Sequence, residues 1–164
     1  MKKRNFNSKL SHILLWSVFC LYMLLLVKAI LFKYPASMMI AAVKQTNMEL
    51  IRIRILLGSN FVPMKTVFHY LSGEITSIGK INIIANVILF IPLGFLIPFL
   101  VKKFNKFATV IGLAFVISLI FELIQLIFGI GNFDIDDLIL NSFGAMIGFV
   151  VHVWWIKCVK KYSL

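Results

Sequence analysis

The chain has 164 residues, of which 61% are hydrophobic and 14% charged, and its mean hydropathy is +0.99. An ordinary soluble domain is about 45–50% apolar and about 25% charged, so this composition argues against a soluble enzyme and against a disordered chain. The net charge of +11 arrives as short clusters beside apolar runs, not as a continuous basic face, which points to membrane topology and away from nucleic acid.

A transmembrane helix needs about 20 mostly apolar residues. Four stretches qualify: His12 to Phe32, Ile81 to Val101, Phe107 to Phe128 and Leu138 to Ile156. The first follows Met1-Lys2-Lys3-Arg4 but lacks a small-x-small cleavage site, which predicts a retained signal anchor over a cleaved signal peptide. Lys28 sits near its far end, within reach of the interface. The segment from Lys33 to Lys80 holds apolar stretches at Met38 to Val43 and Met48 to Leu57. Within it, Leu50 to Ile55 alternates as L-I-R-I-R-I, which fits a strand or an interfacial segment but not a fifth span. The segment is expected to lie along the outer membrane surface or to dip into it. Pro92 and Pro98 interrupt the second span and predict a kink beside Gly94. The whole is read as one all-α membrane domain, a bundle of four transmembrane helices with an outer interfacial or re-entrant segment between the first two.

Counting basic residues orients the bundle. The N-terminal tail (Lys2, Lys3, Arg4, Lys9), the connection after span two (Lys102, Lys103, Lys106) and the C-terminal tail (Lys157, Lys160, Lys161) fall on one side and hold ten of the seventeen Lys and Arg. The opposite loop, Gly129 to Asp137, has three acids and no base. By the positive-inside rule both termini are cytoplasmic, although the long segment carries six bases of its own. Cys20 and Cys158 have neither the spacing nor the shared depth for a disulfide or a zinc site, and no metal or cofactor is expected.

Polar groups within hydrocarbon need a partner or a function. Asn82 and Asn86 share a face of span two, Glu122 and Gln125 a face of span three. Asp134, Asp136 and Asp137 precede Asn141 at the start of span four. At 1.5 Å of rise per residue, Glu122 lies roughly 9 Å, Asn86 about 8 Å and Asn141 about 5 Å inside the outer boundary. The polar residues therefore gather in the outer leaflet, and the inner half receives almost none. Capping of a helix N-terminus accounts for Asp136 or Asp137 without any further role, but not for Glu122. A lone Glu at that depth is expected to be protonated or paired, with Arg52, Arg54 and Lys65 as the candidate partners. A structural hydrogen-bond network is the alternative to a ligand pocket. Asp134, Asp137, Asn141, Gly144, Gly148 and His152 step by three or four along one helix face. The Gly144-x3-Gly148 pair allows close helix approach, read as packing within the chain in preference to dimerisation, and His152 is read as a packing residue.

In combination, Asn82-x3-Asn86-x3-Phe90-x-Pro92-x-Gly94, Glu122-x2-Gln125 and Asp134-x-Asp136-Asp137-x3-Asn141-x2-Gly144-x3-Gly148 resemble the VanZ-like membrane proteins. The resemblance runs from about Asn60 to Phe149. Asn60-Phe61-Val62-Pro63-Met64 occupies the place of an Asn-Leu-x-Pro-Phe stretch, and Asn132 stands where many members carry Arg. It implies a bacterial integral membrane protein of a family whose name-giving member is associated with teicoplanin resistance, and it carries no established reaction.

The expectation is thus a cell-envelope accessory protein whose outer-leaflet pocket (Asn82, Asn86, Glu122, Gln125, Asp134, Asp136, Asp137, Asn141) engages membrane lipid or a lipid-linked or peptidoglycan-related molecule. An intramembrane enzyme acting on a lipid substrate, with Glu122 as general base, is the runner-up. A small transporter comes third, because transport requires polar groups in both leaflets.

Overall fold

The computed structural model describes residues 2–73 and 77–161. Met1 and the side chains of Lys2, Lys3, Arg4, Lys102 and Lys160, which enter the charge count above, lie outside the described set. Among the described residues there are seven α-helices: α1 (Lys2–Leu31), α2 (Ala36–Gln45), α3 (Met48–Ile53), α4 (Lys65–Leu71), α5 (Ser77–Leu100), α6 (Phe107–Phe128) and α7 (Ile135–Lys161). Stretches of α1, α5, α6 and α7 are each long and apolar enough to cross a membrane. They span Lys9–Leu31, Gly79–Leu100, Phe107–Phe128 and Ile135–Val159, so the expected spans are present, with the second and fourth beginning two and three residues earlier.

The bundle is built around α7, which packs most extensively on α5 and next on α6, while α1 lies at the edge against both. Small residues set the α5–α7 distance. A Cβ on Gly144 would meet the carbonyl of Val87, one on Gly148 the carbonyl of Ile91, and one on Gly94 the carbonyl of Ala145. The backbones therefore touch over two turns, the close approach that a G-x-x-x-G face permits, and the partner lies within the same chain. Helix α5 continues through both Pro92 and Pro98. Leu26, Ile30, Phe90, Leu93, Val110, Ala114 and Ala145 form the buried core. Leu14, Ile88, Ile120 and Val150 remain about half exposed on the outside of the bundle, as lipid-facing surfaces require.

Residues 50–55 are helical, which corrects the strand alternative for Leu50 to Ile55. The Asn47 side chain accepts the Leu50 N–H at 2.9 Å and caps α3, and a π-helical turn at Arg54–Gly58 follows. These short helices fold over one end of the bundle. There Asn60 is clasped to the start of α7: its N–H donates to the Phe133 carbonyl at 2.8 Å, and its own carbonyl accepts from the Ile135 N–H at 3.0 Å. The Phe61 and Phe133 rings stack beside this clasp, centroids 5.3 Å apart. Helix α6 ends in a Schellman arrangement. Gly129 adopts φ +71°, the Ile130 N–H reaches the Gln125 carbonyl and the Gly129 N–H the Leu126 carbonyl.

Candidate functional site

The end of the bundle closed by this clasp concentrates the polar residues, and the three acids at the start of α7 take three different tasks. Asp134 caps α7, its Oδ1 accepting the Asp136 N–H at 2.9 Å, and it also receives Asn60 Nδ2 at 2.8 Å. Asp136, only 1% exposed, accepts the backbone N–H groups of Met64 and, at 2.6 Å, of Thr66. It serves the start of α4 and not its own helix. Asp137 turns into the bundle and accepts a hydrogen bond from Asn86 Nδ2.

Glu122 meets this cluster from α6. It is 2% exposed, its Oε2 accepts the Asp134 N–H at 2.7 Å, and its carboxyl lies within hydrogen-bonding reach of Asp137. Gln125, one turn on, donates to the Ile30 carbonyl at 3.0 Å and ties α1 to α6. One turn deeper, Asn141 donates to Ser118 Oγ at 2.8 Å, leaving Asn141 Oδ1 buried and unbonded. Outside the spans, burial raises the pKa of Asp134 above its ordinary 3.8, against the opposing hydrogen bonds from Asp136 and Asn60 that favour the charged form.

The cation beside the acids differs from the expected ones. Lys33, just past the end of α1, supplies the positive charge acting on both Glu122 and Asp137. Arg54 donates to Thr46 Oγ1 at 3.2 Å and to the Leu126 carbonyl at 3.4 Å, where its charge complements the C-terminal end of α6. Arg52 and Lys65 are exposed. A cavity of about 210 Å³ opens over the acids, lined by Lys33, Thr66, Asn82, Gln125, Asn132, Asp134 and Asp137 among others. Asn82 is exposed on its rim. Of the residues singled out in the sequence, Asn86, Glu122, Asp134 and Asp137 are joined by contacts, Asn82 and Gln125 line the cavity, and Asn141 sits one turn below. Lys33, Thr66 and Ser118 carried no sequence signal, since a lysine closing an apolar span reads as a boundary. At the opposite end His152 packs among Phe95, Phe99 and Phe149, 4.3 Å from the Phe99 centroid.

Compared with known proteins, residues 19–156 match the family model of VanZ/LLP1 proteins. The chain belongs to the VanZ/LLP1 family. It is a multi-pass membrane protein. Protein VanZ of Enterococcus faecium is 43% identical over 74 residues, a stretch covering 43% of this chain and 44% of that protein. The match thus spans less than half the length of that VanZ relative. No solved structure matches. All the residues of the polar cluster fall within the VanZ/LLP1 match.

Proposed function

We propose that this chain is an accessory protein of the bacterial cell envelope, lying in the cell membrane with both termini cytoplasmic. In this reading its polar pocket, in the outer leaflet, engages a lipid-linked or peptidoglycan-related molecule and contributes to teicoplanin resistance. The observation that carries the reading is the cavity over Asp134 and Asp137, with Lys33 and Asn82 at its rim and Glu122 beneath. A purely structural network would bury its polar atoms without leaving space above them. Family membership supports the resistance link, and the Lys and Arg asymmetry supports the orientation.

The test is genetic. Glu122→Gln and Asp137→Asn, each expressed to the wild-type level, should shift teicoplanin susceptibility towards that of a deletion strain. An unchanged envelope phenotype on deletion, with the wild-type protein stably expressed, removes this reading. The pairing of Glu122 with Asp137 also favours a second one, an enzyme acting on a lipid-linked envelope substrate with this carboxyl pair as acid and base. Turnover of such a substrate by purified protein, lost in Glu122→Ala, would promote that alternative.

A further inference from the structure

A second opening lies beside the polar cavity, on the apolar flank of the bundle. It measures about 520 Å³ and lies between α1 and α5, lined by Ala29, Ile81, Ala85, Ile88 and Leu89 together with the polar Lys33, Asn82 and Asn86. Lys33 and Asn82 line the polar cavity as well, so one lysine and one asparagine border both volumes. From Ile81 to Leu89 the groove follows α5 for about 12 Å. It exists because alanines, Ala29 and Ala85, stand where a larger side chain would fill it. At the level of Leu89, Tyr22 donates its hydroxyl to the Leu89 carbonyl at 2.8 Å and pins α1 to α5.

We infer that cavity and groove form one site for a single-chain lipid phosphate bearing a sugar-type head. This rests on the reading of the pocket as a site for a lipid-linked molecule, and it names the class. The groove between two helices takes one hydrocarbon chain, whereas a diacyl lipid brings two. The phosphate falls at the junction, where the Lys33 ammonium supplies a charge-assisted hydrogen bond and Asn82 a neutral one. Beyond it, the carboxyl oxygens of Asp134 and Asp137 and the amides of Gln125 and Asn132 present the acceptors and donors that hydroxyl groups need. A free sugar phosphate lacks the chain and a free polyprenol lacks the charge, so each satisfies half of the site.

The experiment uses the purified full-length protein in detergent, with ligand retention followed by native mass spectrometry. The probe is a polyprenyl phosphoglucose. The comparators are the free polyprenol, glucosyl phosphate and a diacyl phosphatidylglycerol. Joining head and chain should raise affinity at least about tenfold over either fragment. Lys33→Gln should weaken the intact probe about tenfold, with Lys33→Arg restoring most of the loss, a rescue that a merely space-filling lysine does not predict. Ala85→Phe, and from the opposite wall Ala29→Leu, should reduce the probe to the level of glucosyl phosphate while the melting temperature stays near wild type. Two variants guard against one failing to fold. Equal binding of polyprenol, equal binding of phosphatidylglycerol, or undiminished probe binding in a folded groove variant overturns the assignment. Loss of teicoplanin resistance in Glu122→Gln without any retention of the probe overturns the lipid assignment alone. Retention of the probe by a protein whose deletion leaves the envelope unchanged supports the site and removes the envelope role.

Discussion

The Oδ2 atom of Asp136 accepts the backbone N–H of Thr66 at 2.6 Å, joining positions 70 apart in the chain. Its other oxygen accepts the Met64 N–H, so one buried carboxylate satisfies two orphan donors at the start of α4. Asp136→Ala strands both donors, and a buried donor without a partner costs about 1–3 kcal/mol. A loss of about 3 kcal/mol is expected on unfolding in detergent, together with faster proteolysis between residues 60 and 72. Asp136→Asn keeps one acceptor oxygen and should lose about half as much. A shift below about 1 kcal/mol for the alanine variant would contradict this account.

The α5–α7 contact allows no Cβ. Gly144→Ala drives its new methyl into the Val87 carbonyl and Gly148→Ala into that of Ile91, so the helices must separate. Overpacking of this kind costs about 1–3 kcal/mol, and each variant should lower the melting temperature. Gly112 in α6 is the internal comparison, because a Cβ there meets nothing within 4 Å. Gly112→Ala should be neutral or stabilising by up to about 1 kcal/mol, the helix-propensity difference. Equal losses at all three positions would show that propensity, not the backbone contact, governs them.

The spans were legible because hydrocarbon thickness demands a run of apolar residues that little else produces. Glu122, Asn86 and Asp137 were legible for the complementary reason: polar groups at that depth are costly, so their presence has to be explained. What the sequence hid is contact between distant positions. Nothing near Asp136 indicates that its acceptors serve Met64 and Thr66, and Lys33 reads as the edge of a span until the fold brings it beside Glu122 and Asp137. The L-I-R-I-R-I stretch misled because six residues are too few for alternation to exclude a helix. The decisive local signal was Asn47, placed to cap Leu50, with Glu49 in the first turn.

Asp134 supplies a pH dependence whose sign follows from burial. Its pKa in the folded protein is raised above 3.8, so over the window between that value and the raised one the folded state holds more proton than the unfolded state. Stability therefore falls as pH rises through this window and levels off above it. Asp134→Asn caps α7 equally well but cannot titrate. Thermal unfolding of the two proteins across this range should show wild type losing stability relative to the variant as pH increases. A difference that stays constant, or wild type gaining stability relative to the variant as pH rises, would put the burial argument in error.

Orientation is testable with cysteines placed where the fold exposes them. Asp136 is a poor reporter, being buried and bonded to two backbone amides, whereas Asn132 at the polar end and Lys103 at the opposite end are both exposed. With Cys20 and Cys158 replaced by alanine, Asn132→Cys should react with a membrane-impermeant maleimide in intact cells, and Lys103→Cys only after permeabilisation. The expectation rests on the clusters Lys102, Lys103 and Lys106 and Lys157, Lys160 and Lys161, which fall at the end far from the acids and resist translocation. The reverse labelling pattern would turn the cavity over Asp134 and Asp137 towards the cytoplasm. In that orientation an extracellular antibiotic has no access to it, so this one measurement bears on the proposed resistance role as directly as any substitution within the pocket.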